Sequence, residues 1–147
     1  MMRFIKQLFA SPDGAEEITP QIAATALLVE AALIDGVYVN LESDMIAEIL
    51  LEAFDLDADQ VDTLIEQGEA LAEGAVDAHK FTKHVKTLEL HERVSIVEGL
   101  YRVVLADGEK SDIEDSFVRQ ISSLLYVDDV SRARARQKAE ARIAASS

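Results

Sequence analysis

The chain contains no cysteine and no tryptophan, and its two prolines, Pro12 and Pro20, both lie near the N-terminus. The absence of cysteine excludes disulfides, thiol catalysis and thiolate metal sites. The absence of proline after Pro20 leaves the rest of the chain free to form helices. Aromatic residues make up only 5% of the sequence and hydrophobic residues 49%, so we expect a core of aliphatic side chains.

Positive charge is missing from the first half of the chain. There is no lysine or arginine between Lys6 and Lys80, whereas residues 11–77 hold 17 of the acidic residues, and the net charge is −14. From Lys80 onward, 12 basic residues face 11 acidic ones, a balance of +1. An acidic surface repels the phosphate backbone, so we expect no nucleic-acid binding. The same surface attracts cations or the basic face of a protein partner, or it serves solubility alone.

Long apolar runs are also missing. No run reaches the length of a membrane span, and the apolar residues of 1–9, although they have helical spacing, are too few for a signal-peptide core. We therefore expect a cytoplasmic protein without stable membrane insertion. Residues 1–17 are predicted to form an N-terminal leader, made of a short amphipathic helix and a turn.

One segment of the sequence occurs twice. Leu33-Ile34-Asp35-Gly36 is followed six residues later by Glu42, and Leu105-Ala106-Asp107-Gly108 is followed six residues later by Glu114. The differences 107 − 35 and 114 − 42 both equal 72, so the two copies are in register. A repeat at constant offset predicts duplicated structural units that share one core.

The segments around these copies have the pattern of helices. Thr19 is predicted to cap a helix over Pro20–Ile34, which carries a single charge, Glu30, and is therefore expected to be central and buried. Asp57 and Gln60 have the spacing of a capping box at the start of another helix.

No segment shows the sustained alternation that is typical of strands. We therefore predict an all-α fold, an internally duplicated bundle of about seven helices. The helical domain is predicted to span residues 18–147, with pseudo-symmetric halves at about 18–76 and 88–145. Each half is too small to bury its apolar faces alone.

The pattern Asp-Gly-x5-Glu also occurs in the second half of an EF-hand calcium loop. An EF-hand needs ligand oxygens at the earlier loop positions as well. The side chains at the first two of those positions in each copy carry no oxygen: Ala31, Leu33, Val103 and Leu105. The two segments are therefore not EF-hands.

A different cation site remains open. Asp35 and Asp107 follow helix C-termini, where a negative charge opposes the helix dipole by about 0.3–1 kcal/mol. Either each carboxylate accepts hydrogen bonds within its own turn, or the carboxylates hold a divalent cation such as Ca²⁺. The metal ligands would then be Asp35, Glu42, Asp107 and Glu114. Helix-ending glycines and first-turn glutamates explain the same pattern without a metal.

Glu30 and Arg102 form another pair at the 72-residue offset, one on each central helix. Two arrangements remain open: a partly buried ion pair between the halves, or two side chains that each reach water.

Nothing in the sequence supports catalysis, and we expect that the protein is not an enzyme. There is no glycine-rich phosphate loop and no nucleophile elbow. His79, His84 and His91 do not have the spacing of a metal pair on one helix face, so we interpret them as surface or boundary residues.

Two copies of Asp-Gly-x5-Glu, each after an aliphatic central helix, resemble the TerB family, the tellurite-resistance TerB-like domain. Its relatives include the N-terminal domain of DnaJ-type co-chaperones. The segment from Phe81-Thr82-Lys83 through Glu92-Arg93-Val94 to Leu105-Ala106-Asp107-Gly108 is similar to the second half of small bacterial members. The resemblance covers about residues 20–140.

This resemblance implies an all-helical, duplicated fold in a bacterial cytoplasmic stress-response protein of the tellurite-resistance type. It also implies a divalent-metal site at Asp35, Glu42, Asp107 and Glu114. Lys110, inside the second turn, departs from an all-acidic site. The alternative function is a protein–protein interaction module without metal, whose acidic first half and basic last helix contact protein partners.

Overall fold

The computed structural model describes residues 18–34, 40–74, 79–106 and 112–146, which form seven helices and no strand. The helices are α1 (Pro20–Leu33), α2 (Asn40–Ala53), α3 (Ala58–Glu73), α4 (His79–Val85), α5 (Leu90–Leu105), α6 (Asp112–Leu124) and α7 (Asp129–Ser146). The predicted all-α bundle is confirmed. The leader at 1–17 lies outside the described residues, and the internal duplication stays a prediction.

Helix α1 is a buried central element that packs against α3, α4 and α5. The Thr19 hydroxyl accepts a hydrogen bond from the Ile22 N–H at 3.1 Å, and Pro20 occupies the first helical position, where no N–H is needed. The helix ends at Leu33, with Ile34 as its C-cap. Nine of its side chains are buried: Ala23, Ala24, Thr25, Ala26, Leu27, Leu28, Val29, Ala31 and Ala32. The nearly uniform apolar sequence therefore produces the buried helix that it predicts.

The central helices are approached closely at two glycines. Gly68 of α3 lies against Thr25 of α1, where a Cβ would come within 2.5 Å of the Thr25 methyl carbon. Gly99 of α5 lies against Ile49 of α2, where a Cβ would come within 2.5 Å of the Ile49 Cγ2 atom. A methyl group at either position would force its neighbours to shift, because real Cβ atoms do not approach other atoms so closely.

The most extensive helix–helix packing is that of α3 on α1 and of α7 on α5. Helix α5 also packs against α1 and α2. The largely aliphatic core is continuous across all seven helices and includes three buried aromatic side chains, Phe54, Phe81 and Tyr101.

The Asp57–Gln60 capping box is present as predicted. The Gln60 N–H donates to the Asp57 carboxylate at 2.8 Å, and the Asp57 N–H donates to the Gln60 side-chain oxygen at 2.9 Å. Asp128 caps α7 in a related way, because its carboxylate accepts from the Ser131 N–H at 2.7 Å. Hydrogen bonds from Ser131 stabilise the charged carboxylate of Asp128 and are the main reason why its pKa is lowered.

Helix α6 ends in a Schellman motif that is closed by a tyrosine. The Val127 N–H donates to the Ser122 carbonyl at 3.0 Å, and the Tyr126 N–H donates to the Ser123 carbonyl at 3.1 Å. Tyr126 has φ 59°, the left-handed conformation in which glycine is usual. A bulky side chain in this conformation costs of order 1–3 kcal/mol.

No helix in the described ranges combines the length and apolarity that a bilayer crossing requires.

Candidate functional site

The four predicted metal ligands lie at the two Asp-Gly turns. Asp35 and Asp107 fall outside the described residues, in the gaps 35–39 and 107–111. Glu42 and Glu114 lie in the first turns of α2 and α6, as the sequence predicts, but their side chains are outside the described part of the molecule. The metal site therefore stays a prediction.

The helix ends that lead into the two turns have the same geometry. The Ile34 N–H donates to the Ala31 carbonyl and the Ala106 N–H donates to the Val103 carbonyl, both at 3.4 Å. The backbone angles are −58° and −38° at Ile34 and −62° and −32° at Ala106. These bonds span three residues instead of four, so each helix tightens at its last turn, at positions that are 106 − 34 = 72 residues apart.

Each turn therefore begins at the negative end of a buried helix dipole. The last carbonyls of α1 and α5 point toward the turns, and few of them have partners within the helix. That environment favours a cation and disfavours an isolated carboxylate. The oxygen donor set of the predicted site suits a hard divalent cation.

Within residues 18–34, 40–74, 79–106 and 112–146, no group of three or more histidine, aspartate or glutamate side chains has an arrangement that could hold a metal ion. His91 is exposed beside Glu89, at 3.5 Å, and His84 is half-buried. Burial, and then the charge of Lys83, lowers the pKa of His84. These two histidines are surface or boundary residues, as predicted; the His79 side chain lies outside the described part.

Of the two arrangements that the sequence leaves open for Glu30 and Arg102, the ion pair between them is not formed in the structure. Arg102 instead pairs with two carboxylates of α2, those of Glu48 and of Glu52, the latter at 3.2 Å. The reason is the packing of the helices. Gly99, one turn before Arg102, lies against α2, and Arg102 therefore faces the same neighbour.

The Arg102 pairs belong to a larger charge cluster, defined here as Glu48, Glu52, Glu98, Arg102 and Arg142. The Arg142 guanidinium lies 3.1 Å from the Glu52 carboxylate and 2.7 Å from that of Glu98. Burial alone would lower the pKa of Arg142, but the charges of Glu52 and Glu98 outweigh it and raise that pKa. The cluster joins α2, α5 and α7, and we assign it a structural role.

Glu30 has no cationic partner among the described residues, and burial raises the pKa of its carboxyl above the ordinary 4.5. A folded-state pKa that is raised means that ionisation opposes folding. The stability that the protonated Glu30 side chain contributes is fully present below the unfolded-state pKa, and it is lost as the pH rises through the folded-state pKa. We therefore expect Glu30→Gln to increase the free energy of unfolding at neutral pH, and to increase it less as the pH falls toward 4.5.

Urea unfolding of Glu30→Gln at neutral and acidic pH measures this effect. Glu73→Gln, at the exposed end of α3, is the matched control, with an expected change within about 0.5 kcal/mol at either pH. A loss of stability in Glu30→Gln at neutral pH would show that the carboxylate is stabilised in the fold and would contradict the prediction.

Much of the basic run in the last helix is engaged within the fold. Arg132 donates to the Tyr101 hydroxyl at 3.2 Å and pairs with Asp129 at 3.3 Å. Arg136 pairs with Asp115 at 3.0 Å, and its guanidinium lies over the Tyr101 ring at 5.6 Å. The exposed basic residues of the run are Arg134 and Lys138. Only part of the predicted basic surface is therefore available to a partner.

Sequence reasoning missed two features that the fold creates. One is the charge cluster, whose members are up to 142 − 48 = 94 residues apart and carry no shared pattern. The other is the exposed Tyr126 at the end of α6. The local sign of it in the sequence is that no glycine follows this helix, although helices commonly end with a glycine in the left-handed conformation.

Comparison with known proteins identifies one family. The model of the family described as tellurite resistance protein TerB matches residues 21–137. This match covers most of the chain, including both Asp-Gly turns. No curated protein and no solved structure matches at a significant level. The chain therefore belongs to the TerB family.

Proposed function

We propose that this protein is a non-catalytic stress-response protein of the tellurite-resistance type that binds a divalent cation at its two Asp-Gly turns. The ligands are the carboxylates of Asp35, Glu42, Asp107 and Glu114, with backbone carbonyls and water completing the coordination. The observation that carries this proposal is the match to the TerB family model over residues 21–137, which includes both turns.

The geometry of the described helix ends supports the proposal. Both turns start where a buried helix ends, at Ile34 and Ala106, with the same tightened last turn. An aspartate directly after a helix C-terminus costs about 0.3–1 kcal/mol unless a positive charge compensates it. Because this unfavourable placement occurs at both copies, a bound cation is the simplest common compensation.

Divalent ion is expected to raise the melting temperature. A ligand at 100 times its Kd that binds only the folded state stabilises it by about 2.7 kcal/mol. For a domain of this size, that corresponds to a rise of roughly 5–10 °C. We would follow unfolding by circular dichroism during titration with CaCl₂, MgCl₂ or MnCl₂, each after treatment with EDTA.

Asp35→Asn and Asp107→Asn are each expected to reduce the rise, and together to abolish it, because an amide lacks the charge of the carboxylate. Without ion, both variants should be slightly more stable than the natural chain, since the helix dipole no longer opposes a negative charge. If either substitution removes the whole response, the two turns form one shared site; if each removes half, they form two.

Asp62→Asn, on the exposed face of α3, is the matched control and should keep the full response. The absence of any shift at millimolar ion would contradict the cation site. The other function that the sequence leaves open, an interaction module without metal, predicts that absence.

A further inference from the structure

An exposed patch at the end of α6 combines apolar and basic side chains. We name this patch the α4 face after the helix that carries Lys80 and Lys83. Its other members follow α4 along the chain: Lys86, Leu90, Tyr126 and Val130. Tyr126 is 70% exposed, Val130 62% and Leu90 53%, and these are the three most exposed of the large hydrophobic side chains in the described part. The Lys86 ammonium lies 5.5 Å from the centre of the Tyr126 ring.

Arg93 joins two of the segments that carry these residues. Its guanidinium donates to the Leu88 carbonyl at 3.0 Å and to the Leu125 carbonyl at 2.8 Å. One side chain therefore fixes the start of α5, which carries Leu90, beside the turn that carries Tyr126.

The conformation of Tyr126 shows that packing does not explain its presence. It occupies the left-handed position of the Schellman motif, where glycine is free of strain, and its ring lies largely in water. The cost of that conformation is therefore not offset by burial in the core. Strain of this kind is typical of residues with a function. Exposed tyrosines beside aliphatic side chains are typical centres of binding surfaces.

The charges around the patch indicate the chemistry of its partner. Lys80, Lys83 and Lys86 are exposed and form no ion pair with any described carboxylate. The nearby acidic residues lie at the starts of α5 and α7: Glu89, Glu92, Asp128 and Asp129, the last of which pairs with Arg132. Residues 79–86 hold three lysines and no acidic residue in a chain of net charge −14, so α4 and Lys86 present a basic surface. Its charge complements an acidic partner.

We propose that the α4 face binds an acidic amphipathic helix of another protein. The apolar side of that helix covers Tyr126, Leu90 and Val130, and its carboxylates lie opposite Lys80, Lys83 and Lys86. This mode places an amphipathic helix on an apolar surface and uses charge to orient it. It is independent of the cation site, because none of these residues belongs to the Asp-Gly turns.

The test uses the ¹⁵N-labelled full chain and NMR. The probe is a synthetic helical peptide of glutamate and leucine, with leucines at i, i+3, i+4 and i+7. We expect amide shifts confined to residues 79–90 and 125–131, and a Kd that rises with salt. A peptide of the same composition with scrambled order should bind about tenfold more weakly.

Tyr126→Gly is the decisive variant. It removes the ring and also relieves the left-handed strain, so the variant should be at least as stable as the natural chain. Its affinity for the peptide is expected to fall about tenfold, a loss that unfolding cannot explain. Lys83→Glu should weaken binding and reduce its salt dependence, whereas the matched Lys138→Glu, at an exposed position of α7, should leave the affinity within about twofold.

Three results would overturn the proposal. The first is unchanged affinity in Tyr126→Gly. The second is a set of peptide shifts centred elsewhere, or none at millimolar peptide. The third is concentration-dependent association of the chain in sedimentation that Tyr126→Gly abolishes, which would assign this face to a second copy of the same protein.

Discussion

Replacing Gly68 by alanine is expected to lower the free energy of unfolding by about 2 kcal/mol. Overpacking costs about 3 kcal/mol, and the higher helix propensity of alanine offsets about 1 kcal/mol of it. The added Cβ would lie 2.5 Å from the Thr25 Cγ2 atom, 2.7 Å from the Thr25 Cβ atom and 3.2 Å from the Ala26 backbone nitrogen. Because Ala26 lies in the buried central helix, its backbone cannot move away without disturbing the core.

Gly99→Ala should cost less, about 1–2 kcal/mol before the helix gain, because only side chains obstruct the new methyl group. These are Ile49, at 2.5 Å from its Cγ2 atom, and Leu28, at 3.3 Å. Leucine at position 49 has no methyl group on Cβ, so it removes the Cγ2 atom that obstructs the new methyl group. Gly99→Ala with Ile49→Leu is therefore expected to recover more than half of the loss, whereas Gly68→Ala with Thr25→Ser should recover little.

Gly74→Ala is the matched control. No atom lies within 4 Å of a Cβ at this position, and its φ of −90° is open to any residue. Its stability should stay within about 0.5 kcal/mol of the natural chain. Urea unfolding of all five variants measures the series, and a Gly68→Ala protein as stable as the Gly74→Ala one would show that α1 and α3 do not approach as described.

Replacing Arg102 by methionine is expected to lower the free energy of unfolding by about 2 kcal/mol. This value lies between the loss of about 3–5 kcal/mol when a buried ion pair is broken and the loss of about 0–1 kcal/mol for a surface pair. The Arg102 side chain is only 9% exposed, but Glu48 and Glu52 are 59% and 42% exposed and regain water when Arg102 is lost, and Glu52 keeps its pair with Arg142. The remaining cost comes from two like charges one helical turn apart against an apolar surface.

Arg102→Lys should recover only part of this stability, because one ammonium cannot replace a guanidinium that donates to two carboxylates. Arg119→Met is the matched control, since Arg119 is 64% exposed and its pair with Asp115, at 3.4 Å, lies at the surface. Its loss should stay within about 0.5 kcal/mol and vanish in high salt. An equally small loss in Arg102→Met would mean that its two ion pairs add nothing to stability.

The starts of the helices could be predicted because the interactions that set them are local. Thr19 with Pro20, and Asp57 with Gln60, bond across three residues, and the structure contains both as expected. The uniform apolar sequence of α1 likewise predicted its burial, since such a helix has no face suited to water. For the candidate metal site, the sequence supplies the four carboxylates and the fold supplies two matching helix ends; the coordination itself stays a prediction.

The sequence by itself thus determined the all-helical class, the central helix and the family. Only the tertiary structure decided that Arg102 faces Glu48 and Glu52 rather than Glu30, and that Arg142 joins them. Spacing along the chain specifies which residues share one helix face, but the partner of that face depends on how helices pack. Here the packing depends on Gly99, whose missing side chain brings α2 against α5 and thereby selects the partners of Arg102.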